Sequence, residues 1–242
     1  MKKTIILLSV LMMFPAFCIK ASAQEEKPLV VASSDSGVSS LEIISHIGFG
    51  YNLLHTDDFT PIGSGEFFVN LAKLSIYPAE AFGVEIGVDY KTVDFVSHDQ
   101  AFFLDGDKKI QVQPYKAKYP VAFDEKKNFS RLRTNTFSAP VTLNLVAGDA
   151  KLSLGAEANL NLTGRIKDKY FVEGKKTKNI EKGVPFNRFN YNLLAAVSYN
   201  GFGIYFKYYP KNSKLIPEGG IDVSYMTLGV IFGLYSDLFY TR

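Results

Sequence analysis

Residues 141–162 have the sequence VTLNLVAGDAKLSLGAEANLNL, two alternating runs separated by a turn at Gly148-Asp149. Val, Leu and Ala take every second position of each run, and mostly small or polar residues take the others. A period of two is typical of a strand whose faces meet different surroundings, and the Gly-Asp turn predicts a hairpin. The second run has about the 9–11 residues of a tilted transmembrane strand. Because its polar face is mostly Ser, Gly and Asn, the hairpin indicates a polar interior on one side and lipid on the other.

The first 23 residues have the three parts of a secretory signal peptide. Lys2 and Lys3 form the positive start, Ile5–Phe14 the apolar segment, and Ala21-Ser22-Ala23 a small-residue cleavage site. The apolar segment is shorter than the roughly 20 residues that a transmembrane helix needs. We therefore expect this segment to direct export and then to be removed.

Composition favours a membrane barrel over membrane helices. The chain is 47% hydrophobic and 14% aromatic without any Trp, yet no later segment has the ~18 uninterrupted apolar residues of a membrane helix. A closed barrel is then the main way for such an exported chain to span a membrane. The formal net charge of +3 indicates no nucleic-acid partner. Cys18 lies in the signal peptide and is the single cysteine, so the mature chain has neither a disulfide nor a thiolate metal ligand.

Eight alternating segments predict eight strands. They are Leu41–Leu54, Glu66–Tyr77, Phe82–Phe95, Phe129–Leu145, Leu152–Leu162, Phe189–Tyr199, Phe202–Tyr209 and Ile221–Tyr235. The register of the second is open, because one choice places Asn70 in lipid and the other places Lys73 there. Asn200-Gly201 is typical of a type I′ hairpin turn. Residues 24–39 are expected to be a flexible periplasmic lead-in to a barrel domain at 40–242.

The connections between these strands alternate in length. Those after strands two, four and six are short, and the others are longer: His55–Gly65, Val96–Asn128, Thr163–Pro185 and Pro210–Gly220. Outer-membrane barrels have short periplasmic turns, long external loops, an even strand number and both termini inside. The sequence therefore predicts an all-β fold, an eight-stranded antiparallel up-and-down transmembrane β-barrel with short periplasmic turns and long extracellular loops, in the cell outer membrane.

The chain resembles the PorT-like family of small outer-membrane β-barrels of Gram-negative bacteria. The resemblance is carried by the signal Met1–Ala23, by FGVEIGVDY (Phe82–Tyr90), by FSAPVTLNL (Phe137–Leu145) and by MTLGVIFGLY (Met226–Tyr235). It implies a membrane barrel, and members of this family resemble one another more in fold than in any known activity. Such barrels often end on an aromatic residue, whereas Thr241-Arg242 follow Phe239-Tyr240 here.

The predicted inner face carries charge. Its members are Glu85, Asp89, Glu157 and Lys207, with His46 as a further candidate. An eight-stranded barrel is just wide enough for its side chains to fill, and an isolated buried charge is costly. We therefore favour a salt-bridged plug over a proton or ion path, and expect no porin-size channel.

Catalytic chemistry has weak support. Ser97-His98-Asp99 has the residue types of a hydrolase site, but neighbours on an extended chain point apart. His46, His55 and His98 lack metal-ligand spacing. We expect no enzyme activity, catalytic residue, cofactor or metal. The alternatives are a barrel-borne lipid-modifying enzyme and a soluble periplasmic lipid-binding calyx, whose apolar face would point inward.

The connection Thr163–Pro185 is rich in cations. They are Arg165, Lys167, Lys169, Lys175, Lys176, Lys178 and Lys182. Such a run is usually a solvated loop, and the functional alternative is contact with lipopolysaccharide phosphates or another external anion. Aromatic residues in the two longest loops predict a contact surface or packing of one loop on the other: Phe102, Phe103, Tyr115, Tyr119, Tyr170 and Phe171. The expected partners are outer-membrane lipid, lipopolysaccharide and an unidentified extracellular or periplasmic protein.

Overall fold

The computed structural model describes residues 38–55, 63–119, 128–172 and 175–234. The predicted signal peptide, nearly all of the N-terminal lead-in and the C-terminal aromatic residues lie outside the described residues. The elements are β1 (Val38–Ile43), β2 (His46–His55), β3 (Gly65–Ala79), β4 (Phe82–Ser97), β5 (Gln100–Leu104), β6 (Ile110–Pro114), α1 (Tyr115–Lys118), β7 (Phe129–Ala147), β8 (Ala150–Val172), β9 (Lys175–Lys182), β10 (Phe189–Tyr199), β11 (Phe202–Tyr208) and β12 (Ser224–Gly233).

Eight of these strands form a closed antiparallel ring. Its order is β2-β3-β4-β7-β8-β10-β11-β12, and β12 pairs with β2 to close it. Each strand except the broken first one follows its predecessor around the ring, so the predicted eight-stranded up-and-down barrel is confirmed. Within the described ranges, no helix combines the length and the apolarity needed to cross a membrane.

The alternating sequence directs apolar side chains outward and polar side chains inward. Leu143 on β7 and Leu154 on β8 point out and are 54% and 51% exposed. Asn144 and Glu157, on the same two strands, point in and are buried. This arrangement is the reverse of a soluble calyx, which would keep its apolar face inside.

The turns at one end of the barrel are tight. β3 and β4, β7 and β8, and β10 and β11 are each joined by two residues. Asn200 and Gly201 both have positive φ, at 47° and 75°, as a type I′ turn requires of its two central residues. The predicted type I′ hairpin is therefore confirmed. We call this the short-turn end, and the opposite end the long-loop end.

A β-bulge settles the open register of β3. Asn70 pairs with Asp89 and Ala72 pairs with Val88, so Leu71 is an extra residue between them. The extra residue shifts the alternation by one position. Asn70 and Lys73 are consequently both buried inside the barrel, and neither faces outward. Both registers considered from sequence assumed strict alternation, and both were wrong for that reason.

The first predicted strand is broken in two. Ile44 has a φ of 52°, and the chain bends there between β1 and β2. Both pieces pair with β3, β1 along its second half and β2 along its first. Ser45 at the bend is buried and donates a hydrogen bond to Asn70 Oδ1 at 2.9 Å. β1 begins at Val38, so strand structure starts slightly inside the predicted lead-in.

The predicted loop Thr163–Pro185 is mostly β-structure, which corrects the sequence interpretation. β8 continues to Val172, and β9 pairs with it from Arg165 onward. β7 accompanies β8 along the same stretch. Together these segments form a sheet that rises above the rest of the barrel at its long-loop end. We call it the outer wall and define it as residues 129–135, 163–172 and 175–182.

The predicted loop Val96–Asn128 also contains regular structure. β5 and β6 form a separate two-stranded sheet, followed by the single turn α1. We call residues 100–119 the cap. The cap packs against the inner face of the outer wall, and its two strands are not part of the barrel's sheet. Residues 120–127 lie outside the described part of the chain.

Polarity reverses between the barrel and the outer wall. Along β4, the outward side chains change from Tyr90 to Asp94, and the inward ones change from Lys91 to Phe95. β8 changes at the same level, because Ile166 is the first fully buried apolar side chain after a polar inner face. The buried apolar cluster at this end comprises Val93, Phe95, Phe102, Ile110, Leu132, Ile166, Val184, Tyr209, Leu215, Ile216, Ile221 and Tyr225. The wall and cap therefore have the inside and outside of a water-soluble domain.

Candidate functional site

Two lysines and two glutamates form a closed network in the middle of the barrel. Lys207 Nζ lies 2.7 Å from Glu66 Oε1 and 2.9 Å from Glu157 Oε2. Lys91 Nζ contacts Glu157 and lies 3.8 Å from Glu66. The four side chains come from β3, β4, β8 and β11, so the network crosses the lumen. We call it the central network.

Aromatic and amide groups complete the central network. Tyr205 and Tyr209 donate hydrogen bonds to Glu66 at 3.3 and 3.2 Å. Asn192 Nδ2 donates to Glu157 Oε1 at 3.2 Å. Two positive and two negative charges paired in this way offset part of the cost of burying each charge. The geometry is that of a filled lumen.

A second group of charges lies nearer the short-turn end. Lys73 Nζ is 3.2 Å from Glu42 Oε2 and 3.8 Å from Glu85 Oε1. Lys151 donates to Glu85 at 3.0 Å. Together with the central network, this group places paired charges at two levels of the lumen.

The predicted lumen residues all point inward but do not form one site. Glu157 and Lys207 belong to the central network, and Glu85 belongs to the second group. Asp89 accepts a hydrogen bond from Asn70 Nδ2 at 2.7 Å. His46 packs its ring against Phe68, with ring centroids 5.8 Å apart.

The sequence interpretation missed two members of the central network. Glu66 was missed because the register of its strand was open. Lys91 was missed although the alternation of β4, continued past Tyr90, places it on the inner face. The signal for Lys91 was thus present in the sequence.

Asp168 fastens the cap to the outer wall. Its carboxylate is buried and accepts hydrogen bonds from Lys118 Nζ at 2.8 Å and from the Tyr119 hydroxyl at 2.6 Å. Ser130 on β7 donates to the same carboxylate. Burial, and then the hydrogen bond to Asp168, raise the pKa of Tyr119, so its hydroxyl remains a donor.

Aromatic contacts join the two longest connections, as one of the two sequence interpretations predicted. Tyr119 stacks on Tyr170, with ring centroids 4.1 Å apart. The Tyr115 hydroxyl donates to the carbonyls of Phe129 and Lys169 at 3.2 and 3.0 Å. Phe102 is fully buried in the apolar cluster. These side chains pack the cap onto the wall, so most of their surface is used inside the protein.

The outer surface of the wall is cationic. Residues directly opposite each other on neighbouring strands share a face, and the pairings place eight cations on this one. We call it the cationic face: Arg131, Arg133, Arg165, Lys167, Lys169, Lys176, Lys178 and Lys182. Six of the seven cations singled out from sequence belong to it. Lys175 does not, because it pairs with Val172 and falls on the opposite surface.

Arg131 and Arg133 of β7 were not assigned from sequence because they precede the cation-rich connection. The strand pairing places them opposite Lys167 and Arg165. Both contact Asp94 of β4, with Arg133 bound through two nitrogens and Arg131 Nη1 3.7 Å away. Asp94 therefore holds two guanidinium groups at one edge of the cationic face.

Like charges are crowded on the cationic face. Arg165 is directly opposite both Arg133 and Lys182, and Lys169 is directly opposite Lys178. Such pairs destabilise a sheet unless anions screen them. Burial, followed by the neighbouring cations Arg131 and Lys178, lowers the pKa of Lys167.

The residues of the Ser-His-Asp run bind main-chain groups. Ser97 Oγ accepts a hydrogen bond from the Gln100 amide at 3.2 Å. His98 Nδ1 donates to the Asn128 carbonyl at 2.7 Å. A hydrolytic relay would instead require the serine and histidine to bind each other. Among the described residues, no group of three or more His, Cys, Asp or Glu side chains has a metal-site arrangement.

Comparisons with known proteins find matches among solved structures only. No family model matches the chain, and no curated protein matches it. Among solved structures, the chain is similar to Ail, the attachment invasion locus protein of Yersinia pestis, crystallised in complex with the heparin analogue sucrose octasulfate. The two are 14% identical, the match covers 81% of this chain and 98% of that one, and the TM-score is 0.34.

Proposed function

We propose that this protein is an integral outer-membrane β-barrel that acts as a binding or structural module through its extramembrane wall and cap, without a porin-size channel. The observation that carries the proposal is the reversal of polarity between barrel and wall. Below the reversal the outer surface is apolar and the interior is charged, whereas above it the outer surface is charged and the interior apolar. Lipid around the lower part accounts for its apolar outer surface, and water around the upper part accounts for its charged outer surface and apolar interior.

The height of the apolar belt fits a bilayer. On β8 the outward apolar side chains run from Leu152 to Leu162, which is about 33 Å along a strand at roughly 3.3 Å per residue. A tilt of about 40° reduces this to a height of about 25 Å, that of the apolar band of outer-membrane barrels. Tyr199 and Phe202 stay exposed at the short-turn end, where such barrels carry an aromatic girdle.

The proposed orientation places the short-turn end in the periplasm and the wall and cap outside the cell. Short periplasmic turns and long external segments support this orientation. The signal sequence at residues 1–23 and the resemblance to PorT-like barrels agree with it. A rigid closed barrel that presents external segments at one end is a common scaffold for binding. The partner of the external part would then be outer-membrane lipid, lipopolysaccharide or an external protein.

We propose no catalytic activity for this protein. The main-chain hydrogen bonds of Ser97 and His98 support this, because they direct the two side chains to different partners. A lipid-modifying enzyme would need a nucleophile and a base within hydrogen-bond reach of each other.

A pair of arginine substitutions at different depths tests the membrane location. Ala156 lies near the middle of the apolar belt on β8, and Thr163 lies at its upper boundary, with both facing outward. In lipid vesicles we expect Ala156→Arg to lower the free energy of unfolding by about 2–4 kcal/mol and Thr163→Arg by about 0–1 kcal/mol. Urea titration followed by heat-dependent gel mobility measures both. Equal effects, or recovery of the wild type in the soluble periplasmic fraction, would contradict the proposal.

The filled lumen predicts an absence of steady conductance. Porin-size channels need roughly 16–18 strands, and here the central network and the cap close the lumen at separate levels. We expect purified wild-type protein in planar bilayers to show no steady porin-size current. A variant without residues 100–118 should remain closed as well, because the central network is left in place. Large steady openings of the wild type would show that the lumen is not a plug.

A further inference from the structure

The cationic face is organised in rows that run across the wall. The row nearest the barrel is Asp94, Arg133, Arg165 and Lys182, the next is Arg131, Lys167 and Ile180, and the third is Phe129, Lys169 and Lys178. The lysine of the third row is held by aromatic rings, since Lys169 Nζ lies 5.6 Å from the ring centre of Phe129 and 5.3 Å from that of Phe171. The cations therefore form an ordered array.

Protection of an open sheet edge does not explain this array. Lysines on an edge strand commonly prevent pairing with other chains, and this accounts for Lys178 and Lys182 on β9. Arg165 and Lys167 lie on β8, which is paired on both sides at this level. Their crowding is unfavourable in water and becomes favourable when anions lie against the face.

The level of the first row indicates where these anions come from. Asn135 and Thr163 are directly opposite each other and separate the apolar belt from the row of Arg133 and Arg165. Arg165 is roughly 7 Å above Leu162 after allowance for strand tilt. The headgroup layer of a bilayer is about 5–8 Å thick on each side, so the first row lies at the level of lipid headgroups.

We infer that the cationic face binds the phosphate groups of the outer-leaflet glycolipid that surrounds the barrel, an inference that rests on the membrane location proposed for it. Arg133 and Arg165 offer planar donors that match two phosphate oxygens at once, and Lys167 and Lys182 add point charges. Asp94 fixes the orientation of Arg133 and so acts as a positioning residue. The ligand is lipopolysaccharide, recognised through its phosphates and held beside the wall.

Binding of labelled lipopolysaccharide to purified protein in neutral detergent micelles tests this inference. The test variant is Arg165→Gln with Lys167→Gln, and the control is Lys175→Gln with Lys211→Gln, which removes the same charge away from the cationic face. We expect the dissociation constant to rise roughly 10- to 30-fold in the test variant and to change less than about 2-fold in the control. Dephosphorylated lipopolysaccharide should bind wild-type protein as weakly as the intact ligand binds the test variant.

Three other outcomes of the binding experiment would overturn the inference. Equal affinity of wild-type protein for intact and dephosphorylated lipopolysaccharide would overturn the inference, as would unchanged binding by the test variant. Preference for a sulfated polysaccharide with no binding of lipopolysaccharide would overturn it in favour of a soluble polyanion. Heat-dependent gel mobility shows separately whether each variant is a folded barrel, so loss of binding is distinguished from failure of the membrane location. If the test variant does not fold, the comparison of the two ligands with wild-type protein still decides.

Discussion

Replacing Glu157 by Gln is expected to lower the free energy of unfolding by about 3–5 kcal/mol, the usual cost of removing one partner from a buried ion pair. Glu157 forms ion pairs with both Lys91 and Lys207, and these side chains are almost completely buried. Without this carboxylate, Glu66 would be the one described carboxylate within 4 Å of the two lysine Nζ atoms. Urea titration in lipid vesicles, followed by heat-dependent gel mobility, measures the change.

A second substitution shows whether the loss of charge balance causes the drop in the free energy of unfolding. Adding Lys207→Met to Glu157→Gln leaves Lys91 paired with Glu66, so we expect the double variant to recover at least about half of the lost stability. Glu218→Gln serves as the matched control. Its carboxylate is exposed and forms a long ion pair with Lys214, at 3.9 Å, so its removal should cost little. A stable single variant, or a double variant less stable than the single one, would show that the central network is not the source of stability.

Replacing Asp168 by Ala is expected to release the cap while the barrel remains folded. The substitution leaves Lys118 without its carboxylate and removes the acceptor of the Tyr119 hydroxyl, both at the junction of cap and wall. Loss of about 3 kcal/mol at this junction would raise the open population of the cap by roughly 10²-fold. Trypsin should then cleave after Lys116 or Lys118 about 10²-fold faster, with the same midpoint for barrel unfolding in urea.

Asp107→Ala is the control for this release. Asp107 lies in the same cap, but its side chain is 80% exposed and 3.7 Å from Lys109. We expect its cleavage rate to stay within about 2-fold of wild type, because exposed ion pairs contribute little. If Asp168→Ala is cleaved no faster than Asp107→Ala, the cap is held by its apolar contacts alone. If the barrel unfolds together with the cap, the two parts are one cooperative unit.

The number of strands and the faces of the barrel were predictable because one physical rule governs the lower part. An apolar outer surface and packed polar groups inside produce a regular period of two, and the eight strands follow from it. Above Leu162 the rule reverses, so Ile166 points inward among cations that point outward. On β8 a register shift at Leu162 accompanies the reversal, so even-numbered residues face outward up to Leu162 and inward from Gly164 onward. Residues 163–169 of the continuing strand include one apolar residue among three cations, and this stretch was therefore interpreted as a loop. The bulge at Leu71 hid the register of β3 in the same way.

The candidate sites were predictable where a residue's face depends on its own strand. The inward position of Glu157 follows from its neighbours in sequence, whereas its pairing with Lys91 and Lys207 depends on strands far apart in the chain. The cationic face, too, was only partly predictable from sequence. Its lysines were noticed as a run, but strand pairing adds Arg131 and Arg133 and removes Lys175. Pairing across strands is a tertiary property, and no local pattern reports it.

The reversal of polarity also imposes an order on assembly. Phe95, Leu132 and Ile166 lie at the long-loop ends of β4, β7 and β8 and are covered by Phe102 of the cap and by other segments of that end. In the proposed orientation, these apolar side chains cannot be buried together until the strand ends have emerged on the far side of the bilayer, where water provides the driving force. We therefore expect closure of the cap to be the final step of assembly. A protein stalled during insertion would expose this surface, and quality-control proteases could distinguish it from one that has finished.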